Sequence, residues 1–229
     1  MLKAIIFDMD GVLLDSESLH YDVLKEMLKE YGYEYSEKHF LQYCGISEVK
    51  MWPKLLKKAG LDKLKLDHKK LIEEHKKRYE KVLDIKGYPR FEGLNTFLHK
   101  LKNEGYKIAV ASASNMEVIK KTLKNLEIQD YFNECISSRE CEHGKPEPDV
   151  FLLAAGRLDV KPKECLIIED SKNGMKAAYN AKIPVVGFCG ARIEGDMSLV
   201  KYYFNDYETI TITKLKKWYQ EENEHGILF

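Results

Sequence analysis

The segment LKAIIFDMDG at residues 2–11 is an apolar run that ends in two aspartates, Asp8 and Asp10. An apolar run of this length before turn residues predicts a buried β-strand, and Gly11 marks the turn that follows. In open α/β sheets, ligands bind at the carboxyl ends of the strands, where these carboxylates lie. Because two like charges repel each other unless a cation or a shared proton relieves them, the segment is a candidate for Mg²⁺-dependent phosphoryl chemistry.

Further short apolar runs predict the other strands of the same sheet. The predicted strands lie at 2–8, 107–112, 165–169 and 183–188, with a weaker candidate at 134–137. Helical periodicity fills the remaining stretches at 94–104, 115–125, 148–157, 172–181 and 212–222. Strands that alternate with helices form right-handed βαβ units, so the pattern predicts an α/β fold with a doubly wound, Rossmann-like parallel sheet.

Residues 16–85 break this alternation because they carry helical patterns and no convincing strand. The helical patterns cover 17–31, 36–43, 48–59 and 66–83. We therefore predict a helical-bundle cap domain at 16–85, inserted after the first strand, and a core domain formed by 1–15 and 86–229. Such an insert would hang over the carboxyl edge of the sheet, where it can close on a ligand.

The composition limits the classes of function. Lys plus Arg and Asp plus Glu each number 37, so the chain is formally neutral, which argues against nucleic acid as a partner. The lysine-rich segment 54–81 is interpreted as solvated helix faces. We find no leader with a cleavage site and no apolar run of membrane length. We therefore expect a cytoplasmic protein with no membrane partner, and a monomer.

The five cysteines are widely scattered and form no CxxC pair, so no disulfide scaffold is expected. Cys135, Cys141 and His143 lie close together in sequence, but their spacing fits no zinc pattern. Structural roles are therefore expected for these residues.

Polar residues also follow or precede other predicted elements at the ligand-binding edge of the sheet. They are Ser112 with Asn115, Lys145, and the pair Glu169-Asp170. Each site alone has an ordinary explanation, such as helix capping by Ser114 or Asp170, or solvation of Lys145. Together with Asp8 and Asp10, four polar sites of complementary charge at one edge favour a shared catalytic site.

In these motifs the chain resembles the haloacid dehalogenase superfamily of phosphatases and phosphomutases, over nearly its full length. The segment DMDGVLLDSE at 8–17 is similar to the first motif of the small-cap phosphatases and β-phosphoglucomutase-like members. Ser112, Lys145 and Glu169-Asp170 fall at the second, third and fourth motifs, in the right order and spacing. The helical insert at 16–85 matches the position of the family's four-helix cap.

The resemblance implies a role for each of these residues toward a small-molecule phosphate ester. Asp8 is the implied nucleophile, which forms an aspartyl-phosphate, and Asp10 the general acid and base. Mg²⁺ is the implied cofactor, held by Asp8, the backbone carbonyl of Asp10 and Asp170, with Glu169 in support through water or an indirect contact. The implied phosphate-binding groups are Lys145, the Ser112 hydroxyl, and backbone amides near Met9 and Asn115.

The predicted cap carries less evidence. His20 matches a histidine of β-phosphoglucomutase and is a candidate substrate-binding residue, although a lone histidine on a helix is more often packed or solvated. The segment GISE at 45–48 resembles a mutase cap segment, yet the mutase has an arginine where this chain has Glu48. A carboxylate there would repel the second phosphate of a mutase substrate.

The sequence thus favours a Mg²⁺-dependent phosphatase of small phosphorylated metabolites, with sugar phosphates as the leading class. The alternatives are a phosphomutase of the β-phosphoglucomutase type and, from another class, a non-catalytic phosphometabolite sensor on the same fold. A P-loop kinase is disfavoured because the chain has no GxxxxGK[ST] run.

Overall fold

The computed structural model describes residues 1–40, 42–43, 48–190 and 197–225. The chain divides into two compact units. The core unit comprises Met1–Asp15 and Pro89–Phe229, and the helical unit comprises Ser16–Tyr88, which ends three residues after the boundary expected from the sequence. Residues 45–47 of the segment compared with a mutase lie outside the described residues.

The described part of the helical unit contains four α-helices: α1 Ser16–Lys29, α2 Glu37–Phe40, α3 Glu48–Lys58 and α4 His68–Lys86. Helix α4 begins after Asp67, whose side chain accepts hydrogen bonds from the backbone N–H groups of Lys69 and Lys70. This contact satisfies donors that the first turn of a helix leaves unpaired. Apolar side chains of these helices, Trp52 among them, form a core that belongs to this unit.

Within the described residues, the core unit contains a six-stranded parallel sheet: β1 Ala4–Phe7, β2 Lys107–Ser112, β3 Glu134–Ser137, β4 Cys165–Glu169, β5 Val185–Phe188 and β6 Tyr203–Phe204. The strand order is β3-β2-β1-β4-β5-β6, so the direction of winding reverses at β1. The predicted fold class is confirmed. The sequence missed β6, since two residues are too few to form a recognisable apolar run.

Strand β1 is central because its neighbours lie on both sides. Ile6 pairs with Ala109 of β2 and with Ile167 of β4, and all four residues of β1 are buried. Parallel strands that are covered on both faces carry continuous apolar runs rather than alternating ones. The residue that follows β1 is therefore placed at the switch point of the sheet, where doubly wound folds bind ligands.

The described helices of the core unit are α5 Leu94–Asn103, α6 Met116–Asn125, α7 Asp149–Arg157, α8 Lys172–Asn180 and α9 Ile212–His225. Their apolar residues recur at helical spacing. In α5, the buried residues are Leu94, Phe97, Leu98 and Leu101, which form one face of the helix. Among the described helices, none combines the length and the apolar character that a membrane span requires.

Candidate active site

The turn after β1 holds Asp8 and Asp10. The backbone N–H of Asp8 donates to the carbonyl of Ile168 at 2.9 Å, so Asp8 continues the pairing of β1 with β4. The carbonyl of Met9 then accepts from the N–H of Leu13 at 2.8 Å, which closes the turn. Gly11 has φ 80°, in the left-handed region that favours glycine. The local sequence thus fixes both aspartates at the carboxyl end of the central strand.

Lys145 lies against Asp8 at this edge of the sheet. Its Nζ atom is 2.5 Å from Oδ1 of Asp8 and 2.9 Å from Oε1 of Glu169. It also donates to the carbonyl of Ala111 at 3.2 Å. The Lys145 side chain is 8% exposed, and an ammonium group has three hydrogens to donate. These three acceptors therefore match its full donor capacity.

Burial and neighbouring charges determine the pKa values of this pair. Burial raises the pKa of the Asp8 carboxyl well above its usual range, Lys145 opposes that rise, and the carboxylates of Glu169, Asp170 and Asp10 add to it. Burial lowers the pKa of the Lys145 ammonium, but the charges and hydrogen bonds of Asp8 and Glu169 outweigh it, so the pKa is raised. The site therefore has a stable cation and an excess of negative charge.

The acidic cluster fits a hard divalent cation. Asp8, Glu169 and Asp170 each offer one carboxylate oxygen, and these atoms lie within 4.8 Å of one another. With Lys145 as their cation, ionised carboxylates at these three positions leave an excess of two negative charges in a largely buried place. Oxygen donors are the ligands that Mg²⁺ prefers, and its charge would balance that excess. The described cluster does not include the Asp10 carboxylate. The sequence predicted that Asp10 holds the metal through its backbone carbonyl, not through this carboxylate.

Glu169 has contacts that the sequence did not predict. It belongs to the carboxylate cluster, as the predicted support for a metal requires, and in addition its Oε1 pairs with Lys145 and its Oε2 accepts a hydrogen bond from the N–H of Ser171 at 2.6 Å. Space for the carboxylate comes from Gly174 in α8, because a Cβ atom there would overlap it. The Ser171 hydroxyl in turn accepts from the N–H of Gly174 at 3.1 Å, which caps α8.

A series of serines lies at the ends of β2 and β3. The Ser112 hydroxyl is buried and accepts from the N–H of Ser114 at 3.0 Å, so its own hydrogen stays available to a ligand. The Ser114 hydroxyl donates to Oδ2 of Asp10 at 3.3 Å. The Ser137 hydroxyl donates to the carbonyl of Ser114 at 2.6 Å. Ser114, considered from the sequence as a helix cap, instead contacts Asp10, and no role was predicted for Ser137.

Asn115 is the residue that caps α6. Its Oδ1 atom accepts from the N–H of Val118 at 2.9 Å, and its backbone is extended, as capping residues require. The side chain is thus engaged within the helix terminus. The predicted phosphate contact of Asn115 therefore involves its backbone N–H and not its side chain.

Tyr207 supports the turn after β1 from the far end of the chain. Its hydroxyl donates to the carbonyl of Val12 at 3.1 Å, across 195 residues. Burial, together with the charges of Asp170 and Asp8, raises the pKa of Tyr207 well above its usual range, so the hydroxyl remains a donor. The ring packs on Phe188 and Phe97. No local sequence signal identifies this residue.

His20 lies in α1 of the helical unit. Its ring stacks on that of Tyr79 with centroids 4.0 Å apart, and its Nδ1 atom is 3.4 Å from Nε2 of His75. His75 is buried, and its Nδ1 atom is 2.5 Å from Oε1 of Glu48. Burial, followed by the charge of His75, lowers the pKa of His20 to about 3. Glu48 also lies 3.9 Å from Nζ of Lys76, so its carboxylate has a cationic neighbour within the unit.

Comparison with known proteins identifies the family. A family model described as haloacid dehalogenase-like hydrolase matches residues 5–188. The chain belongs to the haloacid dehalogenase-like hydrolases. The matched range includes every residue of the core unit that the sequence singled out, from Asp8 to Asp170.

This hydrolase is similar to proteins named for two different activities. It is 32% identical over 182 residues to a phosphorylated carbohydrates phosphatase of Thermotoga maritima, with 80% of this chain and 82% of that protein covered. It is 33% identical over 189 residues to a β-phosphoglucomutase of Bacillus subtilis, with 81% and 83% covered. A crystal structure of β-phosphoglucomutase from Clostridium difficile gives a TM-score of 0.76 at 25% identity, with 98% and 100% covered.

Proposed function

We propose that this hydrolase is a Mg²⁺-dependent phosphatase of small phosphorylated metabolites, with sugar phosphates as the leading class, and that it acts through an aspartyl-phosphate. The observation that carries the proposal is the placement of Asp8, whose carboxylate contacts Lys145 and belongs to a cluster with Glu169 and Asp170. The similarity to a phosphorylated carbohydrates phosphatase supports the substrate class.

The proposed first step transfers the phosphoryl group to Asp8. A carboxylate oxygen of Asp8 forms a bond to phosphorus while the bond from phosphorus to the alcohol oxygen breaks. Asp10, held by the Ser114 hydroxyl at 3.3 Å, gives its proton to the departing alcohol oxygen. The Ser112 hydroxyl donates a hydrogen bond to a phosphoryl oxygen, and the positive charge of the nearby Lys145 ammonium stabilises the charge of the phosphoryl group.

The proposed second step returns Asp8 to its starting state. A water oxygen forms a bond to phosphorus while the bond from phosphorus to the Asp8 oxygen breaks. The Asp10 carboxylate takes the proton of that water and is thereby ready to act as an acid again. Inorganic phosphate leaves, so atoms and charge balance over the two steps.

The residues that would hold Mg²⁺ are Asp8, Asp170 and the backbone carbonyl of Asp10. When bound, the ion supplies positive charge that reduces the repulsion between a carboxylate and a phosphate ester. Glu169 would act on the same site through Lys145, since its Oε1 atom shares that ammonium with Asp8. Lys145 thus keeps its charge and its position while the nucleophile changes its own charge.

The second candidate is a phosphomutase, supported by the similarity to β-phosphoglucomutase. It would differ in the second step, where a sugar hydroxyl takes the place of water. The sequence argues against it, because Glu48 stands where the mutase has an arginine. A carboxylate at that position disfavours the second phosphate group of a bisphosphate intermediate.

The test is an assay of the purified protein with Mg²⁺ on a panel of sugar phosphates, nucleotides and pyrophosphate. Release of inorganic phosphate that stops with EDTA and returns with Mg²⁺ is the expected result, and Asp8→Asn should abolish it while leaving the circular dichroism spectrum unchanged. Conversion of one sugar phosphate into its isomer, in the presence of an activating bisphosphate, would favour the mutase. Binding of a phosphoester without turnover would favour a sensor.

A further inference from the structure

The hydroxyl group of Tyr207 meets the turn after β1 at the carbonyl of Val12. The two oxygen atoms are 3.1 Å apart, and both residues are buried, Val12 at 0% and Tyr207 at 2% exposure. Because water does not reach a carbonyl in such a place, the carbonyl needs a donor from the protein. Burial, followed by the charges of Asp170 and Asp8, raises the pKa of Tyr207, so the hydroxyl keeps the hydrogen that it donates.

Packing fixes the position of that hydroxyl. The ring centroid of Tyr207 lies 4.6 Å from that of Phe188, 5.3 Å from that of Phe97 and 5.4 Å from that of Phe204. The backbone is held as well, because a Cβ atom at Gly93 would lie only 2.9 Å from the carbonyl carbon of Tyr207. A side chain that is packed in this way is confined to one rotamer. The hydroxyl is therefore a rigid donor to the turn.

A line of hydrogen bonds and peptide groups connects this donor to Asp10. The carbonyl of Val12 and the N–H of Leu13 belong to one planar peptide group. The N–H of Leu13 donates to the carbonyl of Met9 at 2.8 Å. That carbonyl shares the next peptide group with the N–H of Asp10. Each hydrogen bond of such a chain polarises the next one, so the Tyr207 hydroxyl acts on the backbone of Asp10.

Asp8 depends less on this connection than Asp10 does. The N–H of Asp8 donates to the carbonyl of Ile168 at 2.9 Å, so pairing with β4 fixes the backbone of Asp8. Asp10 comes after the strand, inside the turn that closes on the carbonyl of Met9. Loss of the Tyr207 hydroxyl should therefore displace the acid of the proposed reaction more than its nucleophile.

We propose that Tyr207 is a positioning residue for proton transfer: through the peptide group of Val12 and Leu13, its hydroxyl holds Asp10 where the carboxyl group can protonate the departing alcohol. The inference rests on the proposed function, in which Asp10 is the general acid. Its effect depends on the leaving group, because an alcohol needs a proton as it departs. p-Nitrophenolate departs without one.

The first arm of the test compares two substrates of the full chain in the presence of Mg²⁺. Tyr207→Phe keeps the ring and removes the hydroxyl. It should lower kcat/KM for a hexose phosphate about tenfold, the value of about one hydrogen bond. For p-nitrophenyl phosphate, kcat/KM should change less than about twofold, because this constant covers the steps up to the departure of the leaving group, which there needs no proton.

The matched control is Tyr219→Phe. Tyr219 is also buried, and its hydroxyl donates to the carbonyl of Lys163 at 2.6 Å, before β4 and thus at the opposite edge of the sheet from the turn. Each variant loses one buried hydroxyl that donates to a backbone carbonyl, so both should melt about 2–4 °C below the wild type. Tyr219→Phe should leave kcat/KM unchanged for both substrates.

The second arm measures the turn itself. The amides of Leu13 and Leu14 donate to the carbonyl of Met9, and NMR should show faster hydrogen exchange of both in Tyr207→Phe than in the wild type and in Tyr219→Phe. Equal exchange in all three proteins, or equal losses of kcat/KM on both substrates in Tyr207→Phe, would overturn the proposal. If the wild type hydrolyses no phosphoester, the proposed function fails, and the exchange arm still decides whether Tyr207 holds the turn.

Discussion

The ammonium nitrogen of Lys145 lies 2.5 Å from Oδ1 of Asp8, and both side chains are almost closed to water. The two residues are separated by 137 positions, and the contact forms where the end of β1 meets the loop before α7. Nearby Glu169 shares the ammonium, so a single cation faces several carboxylates. Breaking one partner of a buried ion pair leaves an uncompensated charge, which is costly.

Lys145→Met should remove both the phosphate-binding cation and the counter-ion of Asp8. We expect kcat/KM to fall about 10²–10³-fold, as for the loss of one donor to a developing oxyanion. Without metal, the free energy of unfolding should fall by about 3 kcal/mol, because buried carboxylates lose their partner. Phosphate release and urea unfolding measure the two effects. Lys176→Met, at an exposed position of α8, is the control; unchanged kcat/KM in Lys145→Met would contradict this role.

Asp10→Asn should separate the two aspartates by function. The variant cannot protonate a departing alcohol, so hydrolysis of a hexose phosphate should slow by about 10²–10⁴-fold. p-Nitrophenolate leaves without a proton, so phosphorylation of Asp8 by p-nitrophenyl phosphate should slow far less, and the phosphoenzyme should accumulate. Rapid-quench detection of the phosphoenzyme is the measurement. An equal slowing of phosphorylation with both substrates would argue against a proton-transfer role.

Gly174→Ala should displace the Glu169 carboxylate, although Gly174 itself is not part of the site. The added Cβ overlaps the Glu169 carboxylate, and forcing atoms into a packed interior costs about 1–3 kcal/mol. We expect lower stability in thermal unfolding and lower kcat/KM, since a displaced Glu169 no longer holds Lys145. Gly156→Ala is the matched control, because that helical glycine has open space around it and alanine favours helix. Wild-type stability and activity in Gly174→Ala would show that Glu169 can shift freely.

The stability of the helical unit should depend on pH through His20. The pKa of His20 is lowered from 6.5 to about 3 in the folded state, so below pH 6.5 the unfolded chain binds a proton that the folded chain does not. Stability is therefore full above pH 6.5 and falls as the pH decreases, by about 2 kcal/mol at pH 5. The free energies of unfolding of the wild type and His20→Phe measure this. A difference between them that is the same at pH 7.5 and pH 5 would refute it.

Much of the fold was predictable because its signals are local. The apolar runs gave β2, β3 and β4 with the bounds that the structure has, and the helical patterns located every α-helix of the described core unit within a few residues. Burial on both faces requires continuous apolar runs, so such strands are visible in the sequence. Strand β6 was missed because a two-residue strand depends on its neighbour β5 rather than on its own pattern.

The hydrogen-bond partners inside the site were less predictable. Ser114 was considered as a helix cap, and it contacts Asp10 instead, while Asn115 takes the capping role. Both residues are suited to either role by chemistry. The choice between them depends on where the turn after β1 lies in space, which no local pattern contains.

By itself, the sequence determined the alternation of strands and helices, and it placed Asp8, Asp10, Ser112, Lys145, Glu169 and Asp170 at element ends, because periodicity and turn chemistry are properties of neighbouring residues. Only the tertiary structure decided that Glu169 holds Lys145, that Tyr207 supports the turn at Val12, and that Glu48 pairs with His75. Each of these contacts joins residues far apart in the chain. A hydrogen bond depends on distances of a few tenths of an ångström, and only packing sets distances between remote segments.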